Sequence, residues 1–245
     1  MLPIDNIEPY EQSEKKELKA KIESNITNTW SIYRQARHMR PTPDELANQF
    51  EQIRLINRRD SCFLAFLYLT GCRCQEICRY HNKLTGKRLP AIQIMNIKEL
   101  TVNGQSYWQI KNRVLKLKDG KMETVVEDKI IPYTPGDEPT WRMIKLIEEY
   151  CERNKLQATD ELFPFSYSVG RKICIRRTKF GPHCFRMWRS KSLIEDYGLS
   201  PQDLQKWMGW KSPDMAMLYS KGSMQSIAHR FEKNVIFLNP IDTIL

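Results

Sequence analysis

The feature that most constrains this chain is a single change of hydrophobic period. For most of its 245 residues, apolar side chains recur every three or four positions, the spacing of a helix with one buried face. Between residues 91 and 133 they alternate instead: Ile92, Ile94 and Ile97, then Tyr107-Trp108-Gln109-Ile110, Val114-Leu115, Thr124-Val125-Val126 and Ile130-Ile131. Alternation sends side chains to opposite faces of a strand, and Asp119-Gly120 between two such runs is a hairpin turn signal. A chain patterned this way is expected to be mainly α with a small antiparallel β-sheet of about three strands, an α+β fold.

The helix boundaries are equally explicit. Thr42-Pro43-Asp44-Glu45 supplies a cap hydroxyl, a proline at the first helical position and a glutamate three residues after the cap, a capping box. Leu46, Phe50 and Ile53 follow at helical spacing. A second helix, Arg58 to Thr70, is apolar at Cys62, Phe63, Leu64, Phe66, Leu67 and Leu69 and should be buried; Gly71 stops it, and a short helix is expected over residues 74–79. Pro139 opens a helix carrying Trp141, Ile144, Ile147 and Tyr150. Gly198 closes another, Ser200-Pro201-Gln202-Asp203 begins the next, and Ser212-Pro213-Asp214 begins one more.

Composition narrows the class. With 41% hydrophobic and 28% charged residues the chain is globular rather than mainly disordered. No run approaches 18 apolar residues, which excludes a transmembrane helix, and no membrane partner is expected. The acid-rich N-terminus has no apolar stretch, so no secretory signal is expected. Seven cysteines, an odd number, read as reduced thiols in an intracellular protein, in cytoplasm, nucleoid or host nucleus.

The net charge of +10 is unevenly placed. Residues 51–133 carry 15 bases against 8 acids and residues 166–245 carry 13 against 6, while residues 1–50 and 134–165 are slightly acidic. Two basic blocks around an acidic spacer, if folding joins them, make a surface suited to a polyphosphate partner.

Four segments carry the chemistry: Thr70-Gly71-Cys72-Arg73-Cys74-Gln75-Glu76, the lysine-rich hairpin from Lys111 to Lys121, His183-Cys184-Phe185-Arg186, and Gly209-Trp210 with Tyr219 nine residues on. Metal-free phosphodiester cleavage needs a nucleophile, cations to absorb charge on the non-bridging oxygens, and an acid for the leaving oxygen. A tyrosine, two arginines, a histidine and a lysine meet that list. Arginine suits the clamp because its planar fork grips phosphate oxygens in pairs and stays charged.

In these segments the chain resembles the tyrosine recombinases, the integrases of phages, plasmids and chromosomes. Their first box, roughly T-G-x-R-x-x-E, is matched by Thr70 to Glu76; their H-x-x-R box by His183 and Arg186; their glycine followed by histidine or tryptophan by Gly209-Trp210; and the tyrosine nine residues later by Tyr219. The resemblance covers residues 42–222 and implies the catalytic-domain fold of that family. It implies that Arg73 and Arg186 hold the scissile phosphate, that Tyr219 attacks it to form a 3′-phosphotyrosine, and that His183 moves the tyrosine proton. Trp210 would donate its indole N–H to a phosphate oxygen, and Glu76 would orient the site from behind. The catalytic lysine would come from the hairpin, with Lys116 the best fit and Lys118 its rival. Lys111, Arg113, Lys121, Arg176, Arg177 and Lys179 are the expected DNA contacts. Because the phosphodiester energy is kept in the protein–DNA bond, no metal, ATP or other cofactor is implied.

The same resemblance frames the domains and partners. Residues 1–41 read as a helical extension or linker in place of the separate DNA-clamping domain usual in the family, residues 42–222 as the catalytic domain, and residues 223–245 as a tail. Double-stranded DNA is the implied partner. Weak monomeric binding is expected, with assembly into a homo-oligomer on DNA, or an accessory DNA-binding protein, supplying specificity. The apolar end Val235-Ile236-Phe237-Leu238 would dock on a neighbouring subunit or on its own domain. Two other functions fit parts of the pattern: relaxation of supercoils by a type IB topoisomerase, and DNA-binding regulation without catalysis. A separate constellation, Cys72, Cys74, Cys78 and His81, has the ligand types of a zinc site, with the last three expected on one helical face.

Overall fold

Helix α1 (Pro43–Ile56) starts where the capping box places it: Glu45 N–H donates to Thr42 Oγ1 at 3.2 Å, and the Glu45 carboxylate takes the Thr42 N–H at 2.7 Å. The computed structural model describes residues 40–81, 86, 88–118, 121–133 and 138–220, with the side chains of residues 116–118, 121–123, 132–133 and 218–220 outside that description. By its internal contacts the chain divides into two units, Met1–Arg40 and Pro41–Leu245.

Helix α2 (Arg58–Thr70) is the central element of the second unit. Every residue from Asp60 to Thr70 is buried. One face packs on α1 and on α4 (Glu138–Arg153), and another meets α6 (Pro182–Glu195). Phe63 takes Phe163 and Phe165 edge-on, each at 5.2 Å between ring centres, an arrangement aromatic quadrupoles favour. Gly71 ends α2 at φ +55°, a left-handed conformation that costs glycine nothing. A Cβ there would meet the Met208 methyl at 3.0 Å and the Trp207 ring at 3.2 Å, so those side chains would have to give slightly.

The alternating region forms a three-stranded antiparallel sheet in the order β3 (Ile97–Val102), β4 (Gln105–Lys118), β5 (Lys121–Tyr133). The β4–β5 register runs from Ser106↔Tyr133 to Lys118↔Lys121, leaving a two-residue connection; Asp119-Gly120 itself lies outside the described residues. Trp108, Ile110, Asn112 and Val114 of β4 and Lys129 and Ile131 of β5 are buried. A two-residue pair, β1 (Tyr80–His81) with β2 (Arg88–Leu89), precedes the sheet. The molecule is mostly helical with small antiparallel sheets, as the change of period indicates.

After α5 (Tyr167–Thr178) and α6 come α7 (Pro201–Met208) and α8 (Asp214–Ser220). Leu193 and Ile194 of α6, Leu204 and Met208 of α7 and Ala216 of α8 form a compact cluster, with Tyr197, Leu199, Trp207 and Trp210 packed around it. Among the described residues no helix is long and apolar enough to cross a membrane.

Three local expectations are corrected. The short helix α3 covers only Cys74–Ile77, because Cys78 is already extended (ψ 169°). Ile94 lies in a 3₁₀ turn (Ile94–Asn96) ahead of the sheet rather than in a strand. Trp141 is 38% exposed at the edge of α4, whose buried face is made by Thr140, Met143, Ile144, Leu146 and Ile147.

Candidate active site

Cys72 is buried directly after the Gly71 turn, and Arg73 caps α3 with an extended backbone. One turn on, the buried Glu76 carboxylate accepts the Arg73 backbone N–H at 2.7 Å and its guanidinium at 3.0 Å. One carboxylate therefore fixes both the start of the helix and the direction of the cation. Arg73 itself stays half-exposed.

The second arginine arrives from the start of α6. Pro182 at the first helical position fixes the entry of the chain, and His183 and Arg186 fall one turn apart on the same side. Arg186 is buried. Its guanidinium donates to Gly71 O at 2.6 Å and to Met208 O at 2.7 Å, tying the turn before Arg73 to the end of α7. Arg73, His183 and Arg186 line one open pocket with Cys72, Cys74, Gln75, Tyr167 and Pro182. Segments over a hundred residues apart in sequence are thus brought to a single cavity.

Although His183 is exposed on one side, its pKa is pushed below the ordinary histidine value. The main cause is protein packed around the ring, followed by the positive charges of Arg186 and Arg73. Both causes disfavour the imidazolium, so the ring stays a neutral proton acceptor to lower pH than an ordinary histidine.

Gly209 ends α7 at φ +67°, where a Cβ would lie 2.3 Å from the Glu127 carboxylate of β5. The chain then turns into Trp210, whose ring centre is 5.6 Å from the Arg186 Cζ. Tyr219 falls on α8, with its side chain outside the described residues. Lys116 and Lys118 fall on β4, opposite Glu123 and Lys121; the side chains of all three lysines are likewise outside the description.

The remaining sequence-derived cations have varied surroundings. Lys111 is exposed on β4, and Lys179 is exposed at the left-handed end of α5. Arg113 donates to the carbonyls of Pro90, Gln75 and Cys78, bracing β4 against α3. Arg176 and Arg177 both bond the buried Asp60 carboxylate at 2.8 Å; Arg176 keeps 61% of its side chain exposed and Arg177 only 17%.

The zinc alternative does not survive the fold. Cys74 and Cys78 bring their sulfurs to 3.6 Å, but His81 sits on β1, after the helix has ended, so the three do not share a helical face. Among the described residues no group of three or more His, Cys, Asp or Glu is arranged to hold a metal.

Sequence reading missed one charged residue beside the site. Lys129 of β5 is buried, donates to Trp207 O, and lies 4.4 Å from the centre of the Trp207 ring. Loss of water lowers its pKa, with Cys72, Arg186, Glu76 and Glu127 all within electrostatic reach. A signal existed: Lys129 has the strand parity of Ile131, an inward-facing core position.

A scan against protein-family models and a search of curated proteins return no match. Among solved structures, the chain is similar to XerA recombinase at 14% identity and a TM-score of 0.47, covering 78% of this chain and 61% of that one. It is similar to XerH site-specific recombinase bound to difH substrate in a pre-cleavage complex (12% identity, TM-score 0.45, 76% and 50% covered). It is also similar to the Tn1549 transposon integrase in complex with transposon right end DNA (14% identity, TM-score 0.44, 79% and 65% covered). The chain spans half to two thirds of the length of these structures.

Proposed function

We propose that this chain is the catalytic part of a site-specific DNA recombinase of the tyrosine type, an integrase that cuts and rejoins double-stranded DNA inside the cell. The observation that carries this reading is the convergence of Arg73, His183 and Arg186 on one pocket. Two guanidiniums and a histidine lining one cavity suit a phosphate that gains charge as it is attacked.

In this reading the Tyr219 phenol oxygen attacks the phosphorus while His183 takes the phenol proton. Arg73 and Arg186 hold the non-bridging oxygens as a fifth bond forms. The bond to the 5′-oxygen then breaks, and Lys116, with Lys118 as the alternative, gives that oxygen its proton. The product is a 3′-phosphotyrosine and a free 5′-hydroxyl. Attack by a 5′-hydroxyl from another strand reverses the steps and restores the phenol, so the cycle consumes neither ATP nor a metal-bound nucleophile. Trp210 supports the Arg186 side of the pocket. The basic surroundings, including exposed Lys111 and Lys179, favour the DNA backbone, and assembly of several copies on DNA supplies the specificity a single catalytic unit lacks.

The test is covalent trapping. Nicked suicide duplexes prepared from the DNA flanking the protein's own coding region should yield a protease-sensitive protein–DNA adduct with a free 5′-hydroxyl. Tyr219→Phe should abolish the adduct and leave duplex binding within about twofold, since only one hydroxyl is removed. An undiminished adduct with Tyr219→Phe would overturn the assignment. Plasmid relaxation without exchanged strands would point to a topoisomerase instead.

A further inference from the structure

Strand β5 of the hairpin meets the end of α7, and a buried lysine lies at the contact. Taking an ammonium out of water costs several kcal/mol unless its surroundings repay it. Lys129 has such surroundings: the Trp207 carbonyl accepts from its Nζ, the Trp207 indole face lies beneath it, and the carboxylates of Glu76 and Glu127 are within electrostatic reach. A cation at a helix C-terminus also meets the carbonyls the helix leaves unpaired.

The neighbouring carbonyl, Met208 O, is held by Arg186. Two successive carbonyls at the end of α7 are therefore gripped by two cations from different elements, one from β5 and one from α6. Strand β5 adds a second link, because the Trp207 indole N–H donates to Ile130 O at 3.3 Å. On the same strand, the Glu127 carboxylate packs against Gly209, where an added Cβ would force it to shift. The chain after this joint runs through Trp210 into α8, which carries Tyr219 and packs Ala216 back against α6 and α7.

We propose that Lys129 is a positioning residue: it latches the β4–β5 hairpin to the end of α7, and so sets where Trp210 and the Tyr219 helix stand relative to Arg186. Lys129 touches no reacting atom in this scheme. The latch connects the strand pair that carries Lys116 and Lys118 to the arm that carries the nucleophile, so that acid and nucleophile are registered against each other through one side chain. Its catalytic consequence rests on the recombinase reading; the latch does not.

Lys129→Met keeps the length and apolar stem of the side chain and removes its donor. Hydrogen exchange tests the latch without DNA: the Gly209 and Trp210 amides, which donate to Lys206 O and Gln205 O, should exchange about tenfold faster in the variant. Unchanged exchange there overturns the proposal whatever happens on DNA. On the nicked duplex at saturating protein, cleavage should slow by about a hundredfold, the cost of displacing a nucleophile by roughly an ångström. Affinity measured in a Tyr219→Phe background should stay within about twofold. A bridging sulfur in place of the 5′-oxygen needs no proton to leave; it should not rescue Lys129→Met, and rescue would make Lys129 the acid and overturn a positioning role. If the wild-type protein forms no adduct on any duplex while the exchange result holds, the recombinase reading fails and the latch stands. Should Lys129→Met not fold, Lys129→Leu also removes the donor, and wild-type exchange and cleavage in that variant would overturn the latch.

Discussion

Two corners of the pocket each present a guanidinium, and they hold it by different means. Arg73 is held locally, by the charge of a carboxylate three residues away, and keeps about two fifths of its side chain exposed. Arg186 is buried and held from afar, by carbonyls 115 and 22 positions distant, with an indole ring beside it. The first can be set as soon as one turn of helix forms. The second is set only when α2, α6 and α7 have come together, so its geometry reports on the whole assembled unit. A site built this way has one cation aimed by its own short helix and one aimed by three packed helices.

The largest expected effect separates the two. Arg186→Met leaves Gly71 O and Met208 O without their donors in a buried setting, and should lower the unfolding free energy by about 2–4 kcal/mol in chemical denaturation. Arg73→Ala removes a half-exposed partner, while Glu76 keeps the backbone N–H and the nearby charges of Arg113 and Lys129, so its loss should stay below about 1 kcal/mol. Both should reduce adduct formation by orders of magnitude, because each removes charge stabilisation from the same phosphorus. Equal stability losses would break the contrast.

A smaller effect sharpens it. Glu76→Gln keeps the shape and one acceptor but removes the charge that aims Arg73. Adduct formation should fall about tenfold, equivalent to ~1.4 kcal/mol of barrier, and stability by about 1 kcal/mol. If cleavage is unchanged, Arg73 is not held by charge and the local corner needs another explanation.

What was legible in the sequence follows the same division. Thr42 and Glu45, Gly71, the two-residue hairpin connection and the H-x-x-R spacing at the start of α6 are local codes, each complete within a few residues, and each is found where those residues place it. Relations that depend on which distant segment arrives could not be read that way. Arg113 lies in a lysine-rich ribbon and so looked like a DNA contact, but the segment around Pro90 and the end of α3 supply three carbonyls to it. Asp60 draws in Arg176 and Arg177 from α5, which no spacing within either helix announces. Cys74, Cys78 and His81 matched a metal pattern only while the helix was assumed to continue, and it stops at Ile77. Lys129 was hidden by composition, since a lysine in a basic hairpin is usually solvated; strand parity alone pointed inward.

The two corners act on one group together, and that gives the smallest and most discriminating measurement. His183 has its pKa lowered first by loss of water and then by Arg186 and Arg73. A lowered histidine pKa means the neutral ring persists to more acidic solution than usual. Single-turnover cleavage that uses this ring as the proton acceptor should therefore hold its plateau as pH falls through the ordinary histidine range near 6.5, and decline only below it. Arg73→Gln removes one of the two positive neighbours without emptying the pocket. The plateau should drop, and the acid limb should move to higher pH, because the imidazolium is then less disfavoured. A limb that stays in place while the plateau falls would mean that Arg73 acts on the phosphate alone, and that the charge felt by His183 comes from the buried corner.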